Sequence, residues 1–580
     1  MAFCLVKMDI WQTLLSVEIF AVLPCLFLRE GIVRVAELVA GVSLMVGAAL
    51  CGTQMQMGDM ADHRPVTLVA GLGNSHHAIR TNNPEAQRFF DQGMDYLFAF
   101  NHDEARRSFA RAAELDPKTA MPWWGVALAV GPNYNDIDIG HARAKQAVDA
   151  IARAKALAVG GPAVERDYVD ALAQRYSSDL QTMGREYAAA MKGMVGKYPD
   201  DLDAATLYAE SLMDLHPWQL WSTDGRPTEG TEEIVATLKG VLARDPNHVG
   251  ANHFLIHAVE ASGDPSMGLA SAKRLETLAP AAGHLVHMPS HIYQRVGDFD
   301  ASATSNVQAM AADAAYVKSE HLEDVATMYN VMYLTHNIHF LAAACMMEGR
   351  SACAVETADR LVKHVGPEVA TNKMVEWFLP TQPWVLVRFG KWEEILSAPA
   401  PPKEMAVLGA MWHYARGSAY AGLGRLKEAQ AERETLASAI AALPADTPAD
   451  FNNSVKTVMG LALTVLDARI AEASGDREKA IGLWRKSADA WDTLAYNEPA
   501  DWYYPVRESL GGALLRAGKA SEAEAVFRRD LEINPRNGRS LFGLWQSLVA
   551  QKRDADAAWV KKQFDAAWAR ADVELSVGSL

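Results

Sequence analysis

Two prolines, Pro246 and Pro280, stand 34 residues apart, and the residues after them keep step: His253 and His287 come seven positions later, His257 and His291 eleven. A period of that length is one helical hairpin, and a chain that repeats at it must stack hairpins, because one hairpin cannot bury its own apolar face. The phase reaches both ends of the chain. Gly93, Tyr96, Ala105, Phe109, Ala112 and Pro117 mark one copy, and Gly511, Leu514, Ala523, Phe527 and Pro535 mark another at the same mutual spacings. Weaker copies pass through Gly417, Tyr420 and Ala429, and through Ala468, Ala471, Ala480 and Trp484. Small residues let two helices approach, aromatic residues fill the space between hairpins, and the proline ends the second helix. Glycine and proline otherwise collect at turns such as Gly131-Pro132 and Gly263-Asp264-Pro265, and strand patterns are nearly absent.

The copy beginning at Phe89 resembles the tetratricopeptide repeat (TPR) almost in full. That resemblance implies an all-α fold, a right-handed superhelical solenoid of TPR-like helical hairpins whose first helices line a concave groove. At 580 residues the chain exceeds the size at which one compact core keeps growing, which an array accommodates. A His-rich N-terminal array is expected over 81–397 and a C-terminal array over 404–580, divided at 398–403 by a linker containing Pro399, Pro401 and Pro402. An extended loop at 56–80 precedes the first repeat.

Residues 1–55 read as a signal or leader segment. An apolar run from Ile10 to Leu28 is followed by Arg29 and Arg34, then by a second run, Leu38 to Leu50, with Ala48-Ala49 just before Cys51. The chain is therefore expected to be exported, periplasmic or extracellular, and to meet a membrane only through this leader. Cys51 leaves a lipid anchor open, and translation starting near Val33 or Val35 would remove the first run. Beyond the leader only Cys345 and Cys353 remain, flanking a Met-Met-Glu-Gly-Arg turn. A small disulfide and two buried thiols are both compatible with that placement.

Within this frame the histidines stand out. Four-residue spacing puts two imidazoles on one helix face. His284 lies four residues after Pro280, and the next hairpin, aligned on its Gly349-to-Ala354 turn, places His336 and His339 where His284 and His287 stand. Glu260 stands one turn beyond His257. Neighbouring helix axes lie about 8–10 Å apart, so His253, His257, His284, His287, His291, His336 and His339 are expected to converge as metal ligands. Neutral imidazole serves several first-row ions, so the expected cofactor is a transition metal, copper, zinc or iron. Glu260 would orient a ligand or act as general base toward a metal-bound water, and so many positions would accommodate two metals.

Two other functions fit the same residues. One is a metal-dependent enzyme, hydrolytic or oxidative, using an open coordination position. The other is a metal-free scaffold that binds a peptide or protein in the concave groove. A net charge of -16 without a long Lys/Arg run argues against a nucleic-acid groove, which needs clustered basic residues. His76-His77 are placed to fold over the groove or to sit in an exposed loop. Trp218 and Trp221 are placed to wall a pocket or to pack between repeats. The turn Gly131 to Asp136 has only part of a calcium loop.

The phrases Phe100-Asn101-His102-x-Glu104-Ala105, Gly131-Pro132-Asn133-x-Asn135 and Gly283-His284-Leu285-x-His287-Met288-Pro289-Ser290-His291-Ile292-Tyr293 resemble a group of exported bacterial TPR proteins over about residues 70–345. This second resemblance implies fold and export rather than an activity.

Overall fold

In the first hairpin, helix α1 (Pro84–Phe98) opens on Asn83, whose side chain accepts from the N–H groups of Glu85 and Ala86, with Pro84 at the first helical position. Helix α2 (His102–Leu115) is capped by Asn101, whose side chain accepts from the N–H of Glu104. The two pack face to face, and α3 (Met121–Val130) packs on α2 in turn. Phe109 of α2 is clamped between Gly93 of α1 and Gly125 of α3: a Cβ at either glycine would lie 2.5 Å from its ring. The small and aromatic positions of the repeat are therefore a single contact seen from three helices.

The computed structural model describes residues 64–580, except 138, 177–179, 324, 326, 328, 371, 445–446 and 448–451 and the side chains of 180–183. The leader expectation for 1–55, Cys51 included, and the first part of the 56–80 loop lie outside the described residues. Asp62–Leu580 forms one compact unit. Among the described residues the chain is a solenoid of helical hairpins, with isolated bridges at Asn133–Asp136 and Trp221–Pro227 in place of any sheet. None of the described helices is long and apolar enough to cross a membrane.

In the middle of the array, α4 (Val249–Glu260) is buried along its whole length. Helices α5 (Gly283–His287) and α6 (Pro289–Arg295) share one helical path, interrupted at Met288 because Pro289 brings no N–H to the ladder. Behind them run α7 (Phe299–Ser319), then a π-helical turn at Tyr329–Tyr333 leading into α8 (Leu334–Met347), then α9 (Ser351–Val365). Cys345 and Cys353 are joined as a disulfide between α8 and α9, with Cα atoms 5.9 Å apart.

The C-terminal array repeats the first motif. Phe527, on α11 (Ala520–Ile533), sits between Gly511 of α10 (Arg507–Arg516) and Gly543 of α12 (Gly538–Ala550), where added Cβ atoms would collide with its ring. Residues 398–403 are irregular chain, but the arrays on either side belong to the same compact unit. The far end folds back on the middle: Asp572 accepts from the N–H groups of Ser351 and Ala352, and the Trp568 ring covers Gly349. At the N-terminal end an extended strap runs along α1, tied by Val69 N–H to Gln92 and by Gly71 O to Ala281 N–H.

Candidate metal centre

Four helices of the middle array converge on one buried cluster of side chains, a closely packed histidine chamber. Helix α4 supplies His253, His257 and Glu260; α5 supplies His284 and His287; α6 supplies His291; α8 supplies His336. The first five histidines are at most 3 % exposed, and His336 is partly buried. Among the described residues, three groups of potential ligands form here, the ligand atoms of each lying within 4.8 Å of one another: His253, His257 and His284; His287, His291 and His336; and His257, Glu260, His291 and Glu498.

The hydrogen bonds assign the ring protons. His253 donates from Nδ1 to the Phe98 carbonyl at 2.6 Å. His287 donates from Nδ1 to Asn306 Oδ1 at 2.7 Å, and the Asn306 amide is held in that orientation by its own bond to Ser302 O. His257 donates from Nδ1 to Glu260 Oε1 at 2.8 Å. His291 Nδ1 faces Glu260 Oε2 at 2.5 Å and Glu498 Oε2 at 2.7 Å. With four Nδ1 atoms committed to acceptors, the Nε2 atoms turn inward. His253 Nε2 meets His284 Nε2 at 3.2 Å and His287 Nε2 meets His291 Nε2 at 2.6 Å, while the buried His257 Nε2, His284 Nδ1 and Glu498 Oε1 have no hydrogen-bond partner among the described residues. Each facing pair of Nε2 atoms can share one proton, and a cation in place of those protons would also meet the unpartnered atoms beside them.

Electrostatics keep most of these rings neutral. Burial drives the imidazoles of His253, His284, His287 and His336 well below their ordinary value of 6.5, and takes His257 down to about 3. His291 is the exception. Burial lowers it too, but the carboxylates of Glu498 and Glu260 outweigh that and hold it up to about 10. Burial, with Glu260 beside it, pushes the Glu498 carboxyl above the usual range. The chamber wall is aromatic. Phe100 lies 4.5 Å from the His253 ring, Tyr333 4.6 Å from His284, Phe340 4.8 Å from His287, and Tyr134 and Trp218 close over His257.

Several expectations need correction. His339 does not join the cluster; its ring packs edge-on against Phe378. Glu260 is not free to serve as a general base: its two oxygens accept from His257 and His291, and the Tyr496 hydroxyl adds a third bond. The site is not on an open concave surface, because the segment carrying Tyr496 and Glu498 covers it from the C-terminal array. Neither His76 nor His77 reaches it. His76 pairs with Asp91, and His77 with Asp203, beside Asp201 at a separate cleft. The Gly131 turn, read from the sequence as only part of a calcium loop, is tied internally, with Asp136 paired to Arg143. Glu498, Tyr496, Asn306 and Phe100 went unnoticed in the sequence; of these only Phe100, inside a recognised phrase, carried any signal.

No family model matches this chain, and no curated protein matches it either. Among solved structures, the human IFIT1 dimer with m7Gppp-AAAA is similar at 13% identity and TM-score 0.32, covering 84% of this chain and 91% of that one. Yeast Tom70 is similar at 10% identity and TM-score 0.31, covering 82% and 98%, and the P58(IPK) TPR domain at 10% and 0.21, covering 81% and 99%. The hairpin architecture stands on this chain's own packing.

Proposed function

We propose that this chain is an exported TPR-like solenoid that binds transition metal through the histidine chamber. The observation that carries the reading is the set of inward Nε2 atoms whose rings are each fixed from behind, at Nδ1, by a carbonyl, an amide or a carboxylate. That arrangement orients a metal-ligating imidazole and raises its basicity. An all-imidazole donor set serves copper, zinc and iron. Stacked hairpins often act as protein-binding scaffolds, and the rest of the surface remains suited to a peptide or protein partner. At this position burial favours an ion over a peptide, since the five innermost histidines are at most 3 % exposed. Export is supported by the leader pattern and by the Cys345–Cys353 disulfide, a bond that persists in oxidising compartments.

The test is elemental analysis of untagged protein purified without chelator. Copper, zinc or iron is expected in stoichiometric amount, and His257→Ala with His291→Ala should lose it while far-ultraviolet circular dichroism is retained. Metal-free protein after reconstitution with each ion would sink the reading.

A further inference from the structure

We propose that the chamber holds two metal ions side by side, one in each of two histidine triads: His253, His257 and His284, and His287, His291 and His336. The inference rests on the metal reading above and adds its nuclearity, which comes from the repeat itself. Counted on the repeat, position four is Gly250, then His284, then His336; position seven is His253, then His287, then His339; position eleven is His257, then His291, then Ala343. Each triad takes positions seven and eleven of one hairpin and position four of the next. The rule operates twice, and then stops. In the third hairpin position eleven is Ala343, so His339 at position seven has no companion and turns to Phe378.

Ring separations within the two triads are alike, and the ligand-atom groups divide the rings into the two sets. Within the first triad the centroids lie 4.9, 4.9 and 6.3 Å apart, and within the second 4.6, 4.8 and 5.6 Å. Across the pair, His257 to His291 is 5.6 Å and His284 to His287 is 6.0 Å, so the triads adjoin. Within each triad the ligand atoms come within 4.8 Å of one another.

A single ion in the alternative group of two histidines and two glutamates fits less well. The Glu260 oxygens are taken by the Nδ1 atoms of His257 and His291, one from each triad. Glu260 thus acts as one clamp behind two sites, and Glu498 reinforces it on His291. Three imidazoles leave a first-row ion with an open position. In adjoining triads those positions can share one small bridging ligand, such as hydroxide, which balances part of the buried positive charge.

Full-length protein loaded with Zn(II), or with Cu(I) under anaerobic conditions, should retain two ions per chain after desalting. His284→Gln and His336→Gln should each retain one, the double variant none, and His339→Gln, outside both triads, two. After oxidation, copper-loaded wild type should show far less electron paramagnetic resonance intensity per copper than either single variant, because adjacent Cu(II) spins couple. One ion in the wild type, or full uncoupled intensity, overturns the pair and leaves the metal reading standing. No retained ion overturns both. Circular dichroism establishes that each variant is folded; if a glutamine variant is not, the wild-type ion count and spin intensity decide alone.

Discussion

Glu260 has more consequence than any other side chain in the chamber, because it holds one imidazole from each half. In Glu260→Gln the amide keeps the shape but offers a single oxygen, so one of the two Nδ1–H groups must face an NH2. Loss of such a partner typically weakens metal affinity about 10–100-fold, and a competition titration against a chromophoric chelator should show a drop of that order with the helical signal unchanged. Phe100 acts by position: it sits in the left-handed region, at φ 55°, which sets its ring against His253 and parallel to His257. The neighbouring His102 stacks on Phe100, and burial holds its imidazole down to about 3. Its folded value lies below the unfolded 6.5, so the unfolded chain binds a proton that the folded one refuses at pH values between the two. Stability linked to this residue is therefore present above pH 6.5 and falls as the pH drops toward 3, at up to about 1.4 kcal/mol per pH unit. His102→Leu should lose about 1 to 2 kcal/mol less than wild type between pH 6.5 and 5.0, measured by urea unfolding at each pH.

At the scale of the helix, the phase of prolines and glycines made most of the array legible. Small and aromatic positions marked by Gly93, Phe109, Gly511 and Phe527 are where the helices touch. Gly93→Ala drives a methyl to 2.5 Å from the Phe109 ring in a packed interior, and should cost about 1–3 kcal/mol in chemical denaturation. Gly193, inside the helix Leu180–Lys197, has no neighbouring heavy atom within 4 Å of a Cβ. There alanine removes backbone freedom from the unfolded chain without a clash, and Gly193→Ala should stabilise by about 1 kcal/mol. Opposite signs for the same substitution would separate contact glycines from incidental ones. Periodicity also brought His253, His257, His284, His287 and His291 together, since residues on one helix face and one repeat apart must meet. It misplaced His339, because a shared register puts a residue on the right helix without saying whether the next position offers it a companion.

At the scale of the whole molecule, the sequence was silent on how the array closes. Glu498 reaches His291 across 207 residues, and no local spacing encodes such a contact. The proline-rich stretch at 398–403 suggested separate arrays, yet composition reports local chain stiffness and not whether the segments beyond it return. They do return, and the clearest latch is Asp572. The N-cap residue of α9, Arg350, makes no side-chain capping bond; Asp572, from the end of the chain, instead accepts from Ser351 N–H at 2.6 Å and Ala352 N–H at 2.9 Å. This is an N-cap supplied from more than two hundred residues away, so its loss should act at both ends of the contact. Asp572→Ala should cost about 0.5–2 kcal/mol, the usual range for a lost cap. Hydrogen exchange should quicken together at 351–354 and 568–572, while the amides of α1 to α3 keep their protection. Faster exchange at 351–354 alone would mean the cap serves only its helix, and the C-terminal array is held against the middle of the molecule by other contacts, Trp568 on Gly349 foremost.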